Sequence, residues 1–328
     1  MSDIRQRKVF NMRTVFMGTP AIAASALASL LSSRHSVEAV VTRPDAVSGR
    51  GKSVHFSPVK ELALEHGIKV IQPEKGSGSL LFDEMAAIKP DIIVVMAYGR
   101  ILKKDVLELP RYGCINLHAS LLPAYRGASP IQWAVLNGEE ETGITVMQMA
   151  EGLDSGDIIM TEKTPLDKKE TAGSLTEKLA AMAGPLLLKA LDAIEAGTAT
   201  KTPQEEDKAT YVTTIDKSFG ALDFTKDAVT LERMVRGLYP WPSAFAYHNG
   251  KLIKFYDCDV SDVSLDGTFI PGRVNASKQG LFIETGSGSL KVNELQAEGK
   301  KRMMARDFLN GYKIASGDIL YDSLRNEV

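Results

Sequence analysis

Short runs of aliphatic and β-branched residues, "RTVFMG", "VEAVVTR", "IKVIQ", "DIIVVMA", "GCINLHA" and "GITVMQM", recur through the first half of the chain, with stretches of helical periodicity between them. That alternation restricts the architecture more than any other feature. Strands hydrophobic on both faces, joined by helix-length connections, form βαβ units that assemble into a mostly parallel sheet covered on both sides. The expected first domain is therefore α/β and Rossmann-like. Ligands of such sheets bind beyond the carboxyl ends of the strands. Polar residues just after an apolar run are thus the first functional candidates.

At 328 residues the chain is long for one core, which favours a second domain. Apolar residues recur at helical spacing over 172–197, Gly197 ends the pattern, and the polar segment "TATKTPQEEDKAT" follows. This reads as a helix, its glycine stop and a linker, giving a first domain over 1–205 and a second over 206–328. Beyond a short helix, "AVTLERMVRGL", and the aromatic turn "YPWPSAF", the runs "LIKFYDCDV", "GRVNA", "GLFIETG" and "SLKVNELQ" alternate between glycines. Such strands suit a small OB-like β-barrel or a sandwich, which share this signature.

Composition removes several function classes. The net charge of -2 at pH 7 argues against coating nucleic acid by bulk attraction, so any such contact is local. No window approaches the roughly 18 uninterrupted apolar residues of a membrane span. The 2 cysteines, Cys114 and Cys258, are far apart, and the 5 histidines lack ligand spacing; no disulfide framework or metal is expected. The opening "MSDIRQRKVFNMR" lacks the apolar core of a signal peptide, so a cytoplasmic location is expected. The first strand is expected to begin near Met12, with the preceding residues a frayed extension or Met12 the natural start.

Two basic clusters stand out. In "TRPDAVSGRGKSVHFSPVK" the residues Arg43, Arg50, Lys52, His55 and Lys60 face one acid, Asp45, and in "GKKRMMAR" stand Lys300, Lys301, Arg302 and Arg306. Each reads either as solvated surface or as a local phosphate contact. The lone Gly18 of "VFMGTP" is not a GxGxxG fingerprint, which disfavours dinucleotide chemistry; Thr19 is expected to cap a helix whose first residue is Pro20.

Asn116 and His118 end the run "CINLHA" one residue apart, Ser129 and Pro130 open a helix that Gly138 closes, and "SLLPAYRGA" is therefore a loop leaving the sheet. Asp154 follows the next strand in a Gly-flanked turn, expected at the same edge of the sheet. No Ser or Cys stands in a nucleophile elbow, and Cys114 is expected inside its strand. An amide, an imidazole and a carboxylate together assist direct attack on a carbonyl. Asn116 donates to the developing oxyanion at any pH, His118 donates or relays protons, and Asp154 orients the ring and accepts a proton through water. That is acyl-type transfer without a covalent intermediate.

The stretches "VFMGTP", "GRGK", "SPVK", "VVMAYGRIL", "INLHASLLP", "RGASPIQ", "ETGITVMQM", "GLDSGDI", "YPWPSAF" and "LQAEGKKRMMARDFLNG" carry a resemblance to the folate-dependent formyltransferases. Through the C-terminal stretch the chain is similar to the methionyl-tRNA formyltransferase branch. The resemblance implies 10-formyltetrahydrofolate as co-substrate, no metal, initiator methionyl-tRNA as acceptor in translation initiation, and a monomer. It implies catalytic roles for Asn116, His118 and Asp154, and folate contacts for Ser120, Leu121, Leu122 and Pro123, with Tyr98, Gly99, Ile101 and Leu102 as another wall. Contacts to tRNA are implied for Arg43, Arg50 and Lys52, and for Lys300, Lys301 and Arg302 on the barrel. The competing expectations are a formyltransferase acting on an amino sugar nucleotide or on glycinamide ribonucleotide, and a tRNA-binding module with an inactive α/β domain.

Overall fold

The computed structural model describes residues 12–48, 53–74, 78–263 and 268–323. In chain order its main elements are β1 (Arg13–Gly18), α1 (Ala21–Leu31), β2 (Ser36–Val41), β3 (Ala46–Ser48), β4 (Ser53–His55), α2 (Pro58–Glu65), β5 (Lys69–Ile71), α3 (Gly78–Ile88), β6 (Ile92–Met96), α4 (Lys104–Leu107), β7 (Cys114–His118), β8 (Arg126–Gly127), α5 (Pro130–Asn137), β9 (Glu141–Gln148), β10 (Ile158–Pro165) and α6 (Ala172–Glu195). Then come β11 (Tyr211–Val212), α7 (Ala228–Gly237), β12 (Ala244–His248), β13 (Lys251–Ser261), β14 (Val274–Ser277), β15 (Gly280–Glu284), β16 (Ser289–Ala297), β17 (Met303–Met304) and α8 (Ala305–Gly311). Two compact units, interleaved in sequence, result. The first comprises the chain up to Gly127, Glu141–Thr164 and Thr176–Tyr211; the second comprises Ala128–Glu140, Pro165–Leu175 and the chain from Val212.

The sheet of the first unit has the order β10-β9-β7-β6-β1-β2-β5. β1 pairs in parallel with β2 and β6, and the parallel ladder extends to β5 on one side and β7 on the other. Every residue of β6 and β7 is buried, as strands covered on both faces require. The chain leaves β1 toward β5 and returns on the other side at β6. The strand order thus reverses between β1 and β6, the usual place for a ligand crevice.

Gly18 closes β1 there because nothing larger fits. A Cβ on it would lie 2.7 Å from the Cβ of Ala23 and 2.8 Å from the Met96 carbonyl. The helix after it starts one residue later than expected: Pro20 occupies the cap position and α1 begins at Ala21. The Thr19 hydroxyl, expected to cap, is instead buried and has no hydrogen-bond partner among the described residues.

The second unit carries an antiparallel sheet of order β12-β13-β16-β15-β14, with β17 on β16. Its two edges, β12 and β14, meet one short segment. Tyr321 pairs with Tyr247, while the Asp318 carbonyl accepts from Val274 and Leu320 donates to Gly272. Residues 318–321 therefore close the sheet on itself, which decides for a barrel over a sandwich. Phe255, Leu281, Ile283, Leu290, Val292 and Leu295 fill its core at no more than 2% exposure. Burial of each such side chain is worth about 1.5–3 kcal/mol. Among the described residues no helix is long and apolar enough to cross a membrane.

Candidate active site

Strand periodicity puts Cys114, Asn116 and His118 on one face of β7. Cys114 is fully buried, its sulfur toward the carbonyls of Val106 and Leu107. Burial pushes its thiol up to about 12, so it is inert as a nucleophile, as expected. Further along the face, Asn116 sits between Val95 of β6 and Met147 of β9. Asn116 is 9% exposed, and among the described residues nothing bonds its carboxamide.

His118 is 6% exposed. Its Nε2 lies 2.8 Å from the carbonyl of Tyr125. A carbonyl only accepts, so Nε2 carries the hydrogen. Nδ1 then faces Oδ2 of Asp154 at 3.6 Å, too far for a direct hydrogen bond. The same Oδ2 accepts the Gly127 N–H at 2.8 Å. Asp154 has φ +48, a left-handed backbone that Asp tolerates better than most residues.

Asp154 reaches the imidazole by a route different from the one expected. β9 runs antiparallel to β7, so its carboxyl end, Gln148, lies beside Ile115, whereas Thr145 lies beside His118. The loop 149–157 brings the carboxylate to the ring; a shared sheet edge does not. Thr145 is a residue that sequence reasoning passed over. Its hydroxyl donates to the Ser120 carbonyl at 2.7 Å and accepts the Leu122 N–H at 3.2 Å. The signal was a hydroxyl set between the apolar residues Ile144 and Val146.

That hydroxyl fixes the loop in which Ser120 and Leu122 are buried and Leu121 and Pro123 half-buried. Ser120 donates to the Ala124 carbonyl at 2.7 Å, and the Leu122–Pro123 bond is cis. Of the second expected wall, Tyr98 and Leu102 turn into the core, while Ile101 is 88% exposed. Gly99 has φ +74, and its carbonyl accepts from Arg43 at 2.8 Å. A Cβ there would meet only the flexible end of the Arg43 side chain, at 2.3 Å, so it is the left-handed φ that favours glycine at this position.

Arg50 and Lys52 lie outside the described residues. The strands flanking them, β3 and β4, pair as an antiparallel hairpin. At its base Lys60 donates to Asp45 at 2.6 Å and to Gln72 at 2.9 Å, and lies 3.9 Å from the Phe56 ring centre. The Lys60 hydrogen bond holds the Asp45 carboxyl below its usual range. Lys60 is thus an anchor whose charge is already matched. On the second unit Arg302 bonds Glu294 and lies over Tyr256 at 4.4 Å and Tyr239 at 5.4 Å. Lys300 and Lys301 are exposed, and among the described residues nothing bonds their side chains.

The polar segment read as a linker carries bonds of its own. Arg126, fully buried, donates to Gln204 at 3.0 Å, to Glu206 at 2.8 and 2.9 Å, and to the Tyr211 hydroxyl at 3.0 Å. The ion pair holds Glu206 below the ordinary carboxylate range. A separate group, His35, Asp192 and Glu195, brings potential ligand atoms within 4.8 Å of one another. Arg34 bonds both of its carboxylates, so a side-chain cation already engages them.

Two family descriptions match the chain: formyl transferase over residues 12–191, and the formyl transferase C-terminal domain over residues 214–313. It is similar to a protein named methionyl-tRNA formyltransferase from Lachnospira eligens, 50% identical over 94% of this chain and 99% of that one. Similarity to the protein of the same name from Agathobacter rectalis is 47% over 93% and 98%. Among solved structures, HypX from Aquifex aeolicus in complex with tetrahydrofolic acid shares 19% identity at TM-score 0.63, over 94% of this chain and 49% of that one. The N-formyltransferase from Helicobacter canadensis, with folinic acid and dTDP-3-aminofucose, shares 20% at TM-score 0.64, over 86% and 99%.

Proposed function

The chain belongs to the formyl transferase family through both of its matched domains, and from that premise we propose that it moves the formyl group of 10-formyltetrahydrofolate onto the α-amino group of initiator methionyl-tRNA. The observation that carries this reading is an Asn116 carboxamide that bonds nothing among the described residues, two residues along one strand face from an imidazole whose Nε2 is already taken and whose Nδ1 faces Asp154. The relatives named methionyl-tRNA formyltransferase cover nearly the whole chain and support the acceptor.

In the mechanism, the free amine of the aminoacyl group attacks the formyl carbon. As the carbon becomes tetrahedral its oxygen gains charge, and the Asn116 amide donates to it. The amine's surplus proton leaves toward Asp154 and Nδ1 of His118. Collapse then breaks the bond to N10 of the folate, which takes a proton from the same pair. With Nε2 fixed on Tyr125, only Nδ1 can exchange its role. Asn116, His118 and Asp154 are the catalytic residues of this reading.

Ser120, Leu121, Leu122 and Pro123, together with Gly99, Ile101 and the backbone at Tyr98 and Leu102, form the folate site. The domain read over 1–205, together with the segment up to Tyr211, performs the transfer, and the rest of 206–328 holds the tRNA. Arg43, Arg50, Lys52, Lys300 and Lys301 meet phosphates, and Arg302 shapes the surface beside the two lysines. The protein acts in the cytoplasm as a monomer, without a metal. The test is incubation with 10-formyltetrahydrofolate and methionine-charged initiator or elongator tRNA, followed by detection of formylmethionine. Better formylation of an amino sugar nucleotide or of glycinamide ribonucleotide would sink the acceptor assignment.

A further inference from the structure

We propose that residues 204–210, just before the chain enters its second unit, belong to the catalytic apparatus, with Gln204 a positioning residue for Asp154 and Thr210 one for His118. The inference rests on the catalytic reading of Asp154 and His118 given above.

Gln204 Nε2 donates to the carbonyls of Asp154 at 2.8 Å and Gly156 at 2.7 Å. Its Oε1 accepts from Arg126 Nε at 3.0 Å. Both ends of the amide are thereby specified, because a flip would set donor against donor and oxygen against two carbonyls. The turn so held has no slack. A Cβ on Gly156 would lie 1.8 Å from the Gln148 carbonyl, and Asp154 keeps its left-handed φ of +48. The orientation of the Asp154 carboxylate therefore depends on a side chain that lies 50 residues further along the chain.

At the other end of the segment, the Thr210 hydroxyl accepts the Tyr125 N–H at 2.8 Å. The Thr210 carbonyl accepts the Arg126 N–H at 2.8 Å, and its own N–H donates to the Pro123 carbonyl at 3.3 Å. Tyr125, with φ +61, is thus anchored on both sides. Its carbonyl is the one that takes the Nε2 hydrogen of His118. One strip of chain thereby sets both the carboxylate and the imidazole it faces. A displacement of about 1 Å at such a pair costs on the order of 100-fold in rate.

Gln204→Glu keeps the oxygen facing Arg126 and replaces the two donors by a second oxygen. Thr210→Val keeps the shape and backbone bonds and deletes the hydroxyl; Thr210→Ser retains it. With full-length protein, 10-formyltetrahydrofolate and charged tRNA, Gln204→Glu and Thr210→Val should lower kcat about 10- to 100-fold and leave each KM within about twofold. The pH profile of kcat should move in both, and Thr210→Ser should stay near the unaltered protein. In an Asp154→Asn background Gln204→Glu should add little, since both act through one carboxylate. Unchanged kcat and pH profiles overturn the inference. So does a loss that tracks the unfolding midpoint, or a full Gln204→Glu effect on top of Asp154→Asn. If the unaltered protein formylates a different amine and not charged tRNA, the acceptor reading fails, and the same variants are judged on that amine.

Discussion

His118 gives its Nε2 hydrogen to the carbonyl of Tyr125 at 2.8 Å and turns Nδ1 toward Asp154. One end of the ring is held by a peptide group while the other stays available for proton traffic. The amide of Asn116, on the same strand face, bonds nothing among the described residues, and its removal leaves no group stranded.

Asn116→Ala should therefore fold with nearly unchanged stability yet lose about 100- to 1000-fold in kcat, the usual cost of one oxyanion donor. Steady-state kinetics with charged tRNA measure the first, and a denaturant titration the second. Retained turnover removes Asn116 from the mechanism.

Asp154→Asn keeps an oxygen for the Gly127 N–H and deletes the charge facing Nδ1. A loss of about 100-fold or more in kcat, equal to that of Asp154→Ala, says that the charge matters. A mild Asp154→Asn beside a severe Asp154→Ala says that only the bond to Gly127 does.

Thr145→Val is isosteric but strips the Ser120 carbonyl and the Leu122 N–H of a buried partner. Stability should fall by about 1–3 kcal/mol, and KM for the folate should rise more than KM for tRNA. Equal changes in both would show that the loop is not part of the donor site.

Lys300→Ala and Lys301→Ala should weaken tRNA binding and flatten the dependence of log affinity on log salt by about one unit for each phosphate no longer neutralised. Arg302→Ala should chiefly lower stability, because its charge is already matched by Glu294 and its plane packed on Tyr256. Filter binding across a salt series separates the two.

Burial holds the His35 imidazole below its ordinary value of 6.5, and neighbouring Arg34 adds to the effect. Between that lowered value and 6.5 the unfolded chain takes up a proton that the native one refuses, so stability falls as pH drops through this window and is level above it. His35→Phe should flatten that part of the stability curve. An unchanged slope would assign the acid sensitivity to other groups.

The alternation of strands and helices, strand burial and the Asn116–His118 pair were legible because alternation and period-two geometry are local properties of sequence. The antiparallel course of β9 was not, since "ETGITVMQ" reads identically in either direction. Gln204 and Thr210 were hidden for a related reason: polar residues bonded to a distant loop are indistinguishable in composition from polar residues facing water. Tyr98 and Leu102 turn inward because the chain after β6 must cover the sheet as well as border the crevice.

The closure of the barrel by residues 318–321 makes a brief stretch near the end of the chain act like the last stave in a cask. A protease cut that released this stretch would bare two strand rims at once, each able to recruit a neighbouring molecule. The damage would surface as clumping and poor yield before any change at the chemical centre.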